Sequence, residues 1–446
     1  MVNYILNSIM GSCVADALGV PVEFVNREKL KENLVIDMRS NGTYNQKAGT
    51  WSDDTSMTLC LMDSLSKGLD YNDIMTNFIK WINTGDYTPY GEVFDVGNAT
   101  RKALMRFESG TAPLGCGGLS DSDNGNGSLM RILPILFYLQ SIYGTEITEN
   151  DEAMNIIHNV SALTHAHKRS LIACGIYIAV ASKLQGDMDL SIAVEMGIYS
   201  ALEYYKKHDE FADELRYYKR LSNKMFYRTS VKDIKSSGYV VDTLEAAIWC
   251  LLNTKNYKDC VLMAVNLGED TDTVASVAGG LAGLHYGYES IPKQWVAVIA
   301  KGDYIESLSE QLYVALRRTC IEKLCLYIPY FETATKKSVC HWEGGEKLRE
   351  KHFTMAYPVY EDTFHEFIQA VYKSNTMCDN YLDIIHSRGL DNEEQIISAI
   401  DEADFELIKA ILTGYVRQER FCDGLWASAV EKKAFLKCLQ RLKHLI

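Results

Sequence analysis

The chain is poor in proline and has no closely paired cysteines. Only 7 prolines occur in 446 residues, and none lies between Pro134 and Pro292. Proline removes a backbone donor and ends helices. A long stretch without it, rich in Ala, Leu, Ile, Glu and Lys, therefore favours helix over a turn-rich β fold. Sustained apolar/polar alternation is also scarce, which excludes extensive half-buried strands. The 12 cysteines form no CxxC pair, which argues against a thiolate zinc site and a disulfide framework. No basic segment precedes the short apolar N-terminus, and no long apolar run is evident. Neither a signal peptide nor a membrane span is expected, and a reducing cytoplasmic compartment is. Positive charge is in deficit: the formal net charge is -14, which disfavours non-specific nucleic-acid binding. Anionic ligands stay compatible, because helix N-termini and backbone amides hold phosphate without net positive charge. Internal repeats and low-complexity tracts are absent as well.

What remains is a globular composition long enough for more than one domain, and an all-α fold is expected. The central stretch is Leu267–Gly287, LGEDTDTVASVAGGLAGLHYG. Asp270, Asp272 and Thr273 stand where a helix should begin. Ala275, Ala278, Gly279, Ala282 and Gly283 then recur at helical spacing, giving a small face that lets a neighbouring backbone come close. Gly49–Leu65, GTWSDDTSMTLCLMDSL, repeats the arrangement, with Ser52, Asp53 and Asp54 ahead of an amphipathic helix. If the two helix starts converge, four carboxylates and two hydroxyls share one volume. They cannot all ionise there without cations. Oxygen-only ligands select hard ions such as Mg²⁺, Mn²⁺ or Ca²⁺.

Other stretches complete the set. Gly11–Phe24, GSCVADALGVPVEF, places Asp16 inside an apolar helix and Glu23 in the loop beyond it. Gly97–Gly110 reads as a loop entering an amphipathic helix. The glycine-rich Gly115–Pro134 lacks the lysine of a Walker A loop, yet its amides ahead of an expected Ser128–Leu136 helix suit a diphosphate. Thr164–His167, THAH, interrupts an apolar helical stretch, and its two histidines point apart. Asp242 or Thr243 is expected to cap a helix reaching Leu252, and a further helix, Cys260–Asn266, leads into the central stretch.

Together, GSCVADALGVPVEF, GTWSDDTSMTL, GNGSLMRILP, THAH, SGYVVDTLEAAIW and LGEDTDTVASVAGGLAGLHYG resemble the ADP-ribosylglycohydrolase family, in its order. The resemblance implies an all-α orthogonal helical bundle around two Mg²⁺ or Mn²⁺ ions. It implies hydrolysis of the bond joining ADP-ribose to a protein side chain, arginine or serine, or to a small adduct. The implied metal ligands are Ser52, Asp53, Asp54, Asp270, Asp272 and Thr273. Glu23 matches the family's mobile acidic residue, and Glu23, Asp53 and Asp54 are the catalytic candidates. Asp16, Asn124, Gly125, Asn126, Gly127, Ser128, Met130 and His165 are the expected substrate contacts, with His165 at the distal ribose. Ala15 and Glu269 replace frequent glycines, and Ser52 replaces a frequent Thr. Retention of all six ligand positions favours an enzyme over a non-catalytic ADP-ribose-binding or partner-binding protein on the same fold. The expected partner is an ADP-ribosylated protein or a small ADP-ribosyl substrate, with no membrane.

The catalytic domain is expected over residues 1–330. A polar break around Glu332–Lys337 precedes a small helical domain of unknown role over residues 335–446. Helices are expected there at Asp362–Val371 and Glu402–Val416. Arg417, Glu419, Arg420 and Asp423 are expected to form either a recognition loop or a salt-bridged surface.

Overall fold

The computed structural model describes residues 3–186, 188–345, 347–349, 352–353, 355–374 and 376–446. The chain divides into two compact units, residues 1–139 with 145–315, and residues 140–144 with 316–446.

The first unit is helical and is centred on two helices, Tyr4–Gly19 and Thr271–Tyr286. Their sequences explain how closely they pack. A Cβ on Gly279 would lie 2.4 Å from the Gly11 carbonyl oxygen, and one on Gly283 would lie 2.2 Å from that of Asn7. Backbone therefore touches backbone, as the small face predicts. The Ser12 and Ser276 hydroxyls meet at 2.8 Å across the seam, and the Tyr257 hydroxyl donates to the Gly11 carbonyl at 2.6 Å. One expectation needs correcting. The stretch Tyr4–Val22 is long and apolar enough to cross a membrane by length and composition. It forms a core helix and the turn after it, with 94% of its most apolar 18 residues buried inside the protein.

The helix Asp53–Leu65 starts where expected, with the Ser52 hydroxyl accepting from the Asp54 amide at 3.3 Å. Two local expectations change, and one interruption is found where expected. Residues after Ser128 form turns, and the helix runs Pro134–Tyr143. A proline disfavours the helical conformation in the residue before it and suits the first helical position itself. Thr164–His167 interrupts the helical stretch as expected, lying between the helices Asp151–Ala162 and Lys168–Lys183 with His167 as the second one's N-cap. The helix Val240–Leu252 has Tyr239 at its N-cap position. Asp242 falls in the first turn, where its carboxylate accepts from the Ser237 hydroxyl at 2.7 Å.

In the second unit, Phe331, Phe364, Phe367 and Phe435 pack in one apolar core. The expected helices are present as Asp362–Lys373 and Phe405–Gln418, the latter capped by Asp404. Ahead of them lies an antiparallel strand pair, Cys340–Glu343 with Tyr357–Tyr360, in the register Cys340 to Tyr360. Glu419 accepts from the Tyr360 hydroxyl at 2.5 Å and from the Gly424 and Trp426 amides at 2.8 and 2.7 Å. Arg417 pairs with Asp379 at 2.6 Å. Glu419 thus holds a turn together. The units divide inside the helix Gly302–Cys325, so that Ile321, Leu324 and Ile328, upstream of the polar break, belong to the second core.

Candidate active site

Four chain segments bring carboxylates together. Asp53 and Asp54 begin one helix, and Asp272 and Thr273 begin the central one, just after Asp270. The Thr273 hydroxyl donates to Asp54 Oδ1 at 3.2 Å, joining the two helix starts. Gly19 permits the approach, since a Cβ there would lie 2.3 Å from Asp272 Cα. Glu23 follows the turn Val20–Val22. Its loop is pinned: the Phe24 amide donates to the Glu269 carbonyl at 2.7 Å, and the Glu269 amide donates to the Val25 carbonyl at 2.9 Å. Glu269 has φ +64° and Phe24 φ +63°. Glycine, the residue the resemblance leads one to expect at position 269, adopts this left-handed conformation freely.

The fourth segment escaped the sequence reading. Oxygens of Asp95, Glu23 and Asp272 all lie within 4.8 Å of one another. Asp95 sits between Phe94 and Val96, ahead of the helix Asn98–Glu108. No spacing rule ties it to the acidic helix starts. Its one signal is a charged residue between two apolar ones beside a glycine. Tyr44 was also missed; burial, then Asp95 and Glu23 beside it, raise the pKa of its phenol.

Asp16 lies one layer down. Its carboxylate accepts from the Ser52 amide at 3.0 and 3.1 Å, from the Thr55 amide at 3.2 Å and from the Thr55 hydroxyl at 2.6 Å. It is fully buried and orients the helix start that carries Asp53 and Asp54. Burial raises its pKa to about 6 against those hydrogen bonds.

The cluster is electrostatically unbalanced. Burial, and then neighbouring carboxylates, push Asp53, Asp54 and Asp272 well above the usual carboxylate range. Burial, then Asp95 and Asp270, push Glu23 up to about 9. No lysine or arginine is among the main influences on these four groups. Glu23 Oε2, Asp54 Oδ2 and Asp272 Oδ2 are buried with no hydrogen-bond partner. Anionic oxygens left this way are costly unless a cation meets them. The donor set is all oxygen and so fits a hard cation.

Next to the carboxylates lies the loop Asn124–Ser128. Asn126 Nδ2 donates to Asp270 Oδ2 at 2.8 Å and to the Thr243 hydroxyl at 2.9 Å. The Asn126 amide donates to the Gly238 carbonyl, and the Val240 amide to the Asn124 carbonyl. Gly125 pairs with Tyr239 in an isolated bridge. The Ser128 hydroxyl is buried and accepts from that of Ser161 at 2.8 Å. Met130 is buried as well. Gly127 has a reason beyond ligand access: a Cβ there would lie 2.8 Å from His165 Cε1. The structure thus gathers Glu23, Asp53, Asp54, Asp270, Asp272 and Thr273 in one cluster. It sets Asn126 against that cluster and His165 against the glycines.

An all-α scaffold holding a buried, all-oxygen acidic centre beside a glycine-rich loop defines a class of cation-dependent hydrolase. The chain belongs to the ADP-ribosylglycohydrolase family, whose model matches residues 3–321. A family of unknown function (DUF6508) matches residues 316–446. ADP-ribosylarginine hydrolase Tri1 of Pseudomonas putida is 33% identical over 312 residues, 69% of this chain and 76% of that protein. ADP-ribosyl-[dinitrogen reductase] glycohydrolase of Rhodospirillum rubrum is 30% identical over 299 residues, 66% of this chain and 88% of that one. ADP-ribosylhydrolase ARH3 of Danio rerio is 26% identical over 346 residues, 69% of this chain and 88% of its own. A solved structure described as an ADP-ribosylglycohydrolase-related protein complex aligns with a TM-score of 0.57 and 27% identity, covering 70% of this chain and 98% of its own. The activity class follows: hydrolysis of a glycosidic bond to ADP-ribose.

Proposed function

We propose that the chain removes ADP-ribose from arginine side chains, using two Mg²⁺ or Mn²⁺ ions held by Ser52, Asp53, Asp54, Asp270, Asp272 and Thr273. The observation that carries this reading is the buried carboxylate cluster with its unpartnered oxygens. Such ions, when bound, supply Lewis acidity and fix the vicinal hydroxyls of a ribose. The chain's own residues do the rest. Asp16 holds the helix start carrying Asp53 and Asp54 in place. Asn126 fixes Asp270 and sets the loop that takes the diphosphate. Glu23, buried with one free oxygen, takes a proton from the attacking water or returns one to the leaving nitrogen.

The arginine acceptor is supported by the aromatic residues that neighbour Glu23 and Asp95 in sequence. Phe24, Tyr44 and Phe94 form a row, with ring centroids 6.5 and 4.9 Å apart. Aromatic faces beside Glu23 and Asp95 suit a planar guanidinium better than a serine hydroxyl. The test is a pair of ADP-ribosylated peptides, one modified on arginine and one on serine, incubated with full-length protein and Mg²⁺. Free ADP-ribose is expected from the arginine peptide. Release from the serine peptide alone overturns the acceptor. Release from neither, with ADP-ribose still bound in calorimetry, supports the non-catalytic binder.

Two further outcomes are expected. Glu23→Gln should lower kcat on the order of a hundredfold or more while ADP-ribose affinity stays near wild type. Wild-type turnover would remove Glu23 from the chemistry. A chain ended at Ala315 should keep hydrolysis of a small ADP-ribosyl substrate. A chain ended at Tyr330 should aggregate more, because it carries Ile321, Leu324 and Ile328 without the second core that buries them. Light scattering and ADP-ribose release on both truncations check this.

A further inference from the structure

Arg131 and Thr164 lie in two of the motifs that carry the family resemblance, GNGSLMRILP and THAH, yet neither belongs to the carboxylate cluster. Arg131 is fully buried, and its guanidinium lies 4.8 Å from the centre of the Phe78 ring. Its Nε and Nη1 have no hydrogen-bond partner. Nη2 donates to the Val160 carbonyl at 3.1 Å and to the Thr164 hydroxyl oxygen at 2.8 Å. A buried arginine without a carboxylate partner is costly, so a specific use is called for. Thr164 supplies it. Its hydroxyl oxygen lies 2.8 Å from His165 Nδ1.

The direction of that second hydrogen bond is determined. A threonine hydroxyl carries one hydrogen. Its oxygen already accepts from Arg131, and among the described residues His165 Nδ1 is the one acceptor it meets. The hydroxyl must donate, Nδ1 must accept, and the imidazole proton must sit on Nε2. The ring is neutral at physiological pH, because burial and then Arg131 lower its pKa to about 3. The protonated edge faces the ligand loop: idealised Cβ positions on Gly127 and Gly125 lie 3.4 and 3.6 Å from Nε2. In the opposite tautomer Nδ1–H would donate to the second lone pair of the Thr164 oxygen, leaving the buried hydroxyl hydrogen without an acceptor and turning a bare Nε2 toward the loop.

We propose that Arg131 and Thr164 are positioning residues that lock His165 as the Nε2–H tautomer, so that it presents a hydrogen-bond donor to an oxygen of ADP-ribose beside Gly125 and Gly127. The inference rests on reading Asn124–Ser128 as the ADP-ribose loop. A neutral donor holds a ribose or diphosphate oxygen without competing with the cations for the carboxylates.

The test uses full-length protein labelled with ¹⁵N-histidine, in Mg²⁺, with the His165 signals identified by their loss in His165→Gln. In wild type, Nε2 is expected to be protonated and Nδ1 bare between pH 6 and 8 (roughly the range where an unperturbed histidine titrates). Thr164→Val should lose that single tautomer. Its Kd for ADP-ribose and its KM should rise about 10-fold, the worth of one hydrogen bond, while kcat changes by about 2-fold or less. Thr164→Ser, which keeps the hydroxyl, should restore both the spectrum and the affinity. A protonated Nδ1 in wild type overturns the relay without any variant, so misfolding of Thr164→Val cannot shield it. A Thr164→Val protein that keeps the wild-type tautomer and affinity overturns it too. Failure of wild type to bind ADP-ribose overturns the loop reading beneath it, and the spectrum separates that result from failure of the relay.

Discussion

Asp270→Asn is expected to abolish ADP-ribose release and to shrink the stabilisation that Mg²⁺ or Mn²⁺ gives to chelator-stripped protein. The substitution removes one charge and keeps the shape, and the new amide oxygen can still accept from Asn126 where Asp270 Oδ2 does at 2.8 Å. A ligand that binds only the folded state adds RT ln(1 + [L]/Kd), about 2.7 kcal/mol at a hundredfold excess. For a chain of this size that shifts Tm by on the order of a few degrees. The pH dependence has a definite sign. Glu23 titrates near 9 in the folded metal-free cluster, against an ordinary value of 4.5. A group raised in this way contributes stability that is fully present below its unfolded pKa and is lost as pH rises through the folded one. Asp53, Asp54 and Asp272 are raised as well. Stripped protein should therefore melt higher at pH 5 than at pH 9, and the increment from Mg²⁺ should grow over the same interval. Calorimetry with and without chelator at both pH values checks it. Full activity in excess chelator, or a melting temperature indifferent to metal, would reduce these carboxylates to helix caps.

Gly279→Val should unfold the first unit or leave it barely stable. A Cβ there would meet the Gly11 carbonyl oxygen at 2.4 Å and Ala15 Cβ at 2.5 Å. One obstacle is backbone, which cannot rotate away. Overpacking a dense core typically costs about 1–3 kcal/mol, and more where backbone must move, against a total stability of about 5–15 kcal/mol. The damage should also reach the site, because the central helix carries Asp272 and Thr273 at its head. Met62→Leu, a substitution of similar volume at a buried position in the same unit, should stay within about 1.5 kcal/mol of wild type. Urea denaturation of the two variants compares them. A Gly279→Val protein with wild-type stability would mean that the helix pair separates without cost.

Much of this was legible along the chain. Small residues at helical spacing can serve only close backbone contact, so Gly279 and Gly283 announced the central helix pair. Ser52–Asp54 and Asp270–Thr273 announced a convergence, because two acidic helix starts of the same pattern in a buried setting need one shared counter-charge. The long proline-free span announced helices. Local sequence also misled in places, where a tertiary neighbour or a nearby proline decided the geometry. Pro134 delayed a helix that periodicity placed at Ser128. Glu419 looked like a surface charge and is the acceptor that closes a turn. The long apolar stretch Tyr4–Val22 went unnoticed in the sequence, and the structure buries it against its partner helix.

The sequence by itself determined the helical class, the two acidic helix starts and the family motifs, because each is a short-range pattern written in neighbouring residues. Only the tertiary structure brought Asp95 to Glu23 and Asp272, placed Asp16 beneath Ser52 and Thr55, and set the proton of His165 through Thr164 and Arg131. Each of these depends on distances between residues far apart in the chain, and a carboxylate or an imidazole takes its chemistry from what folding places beside it.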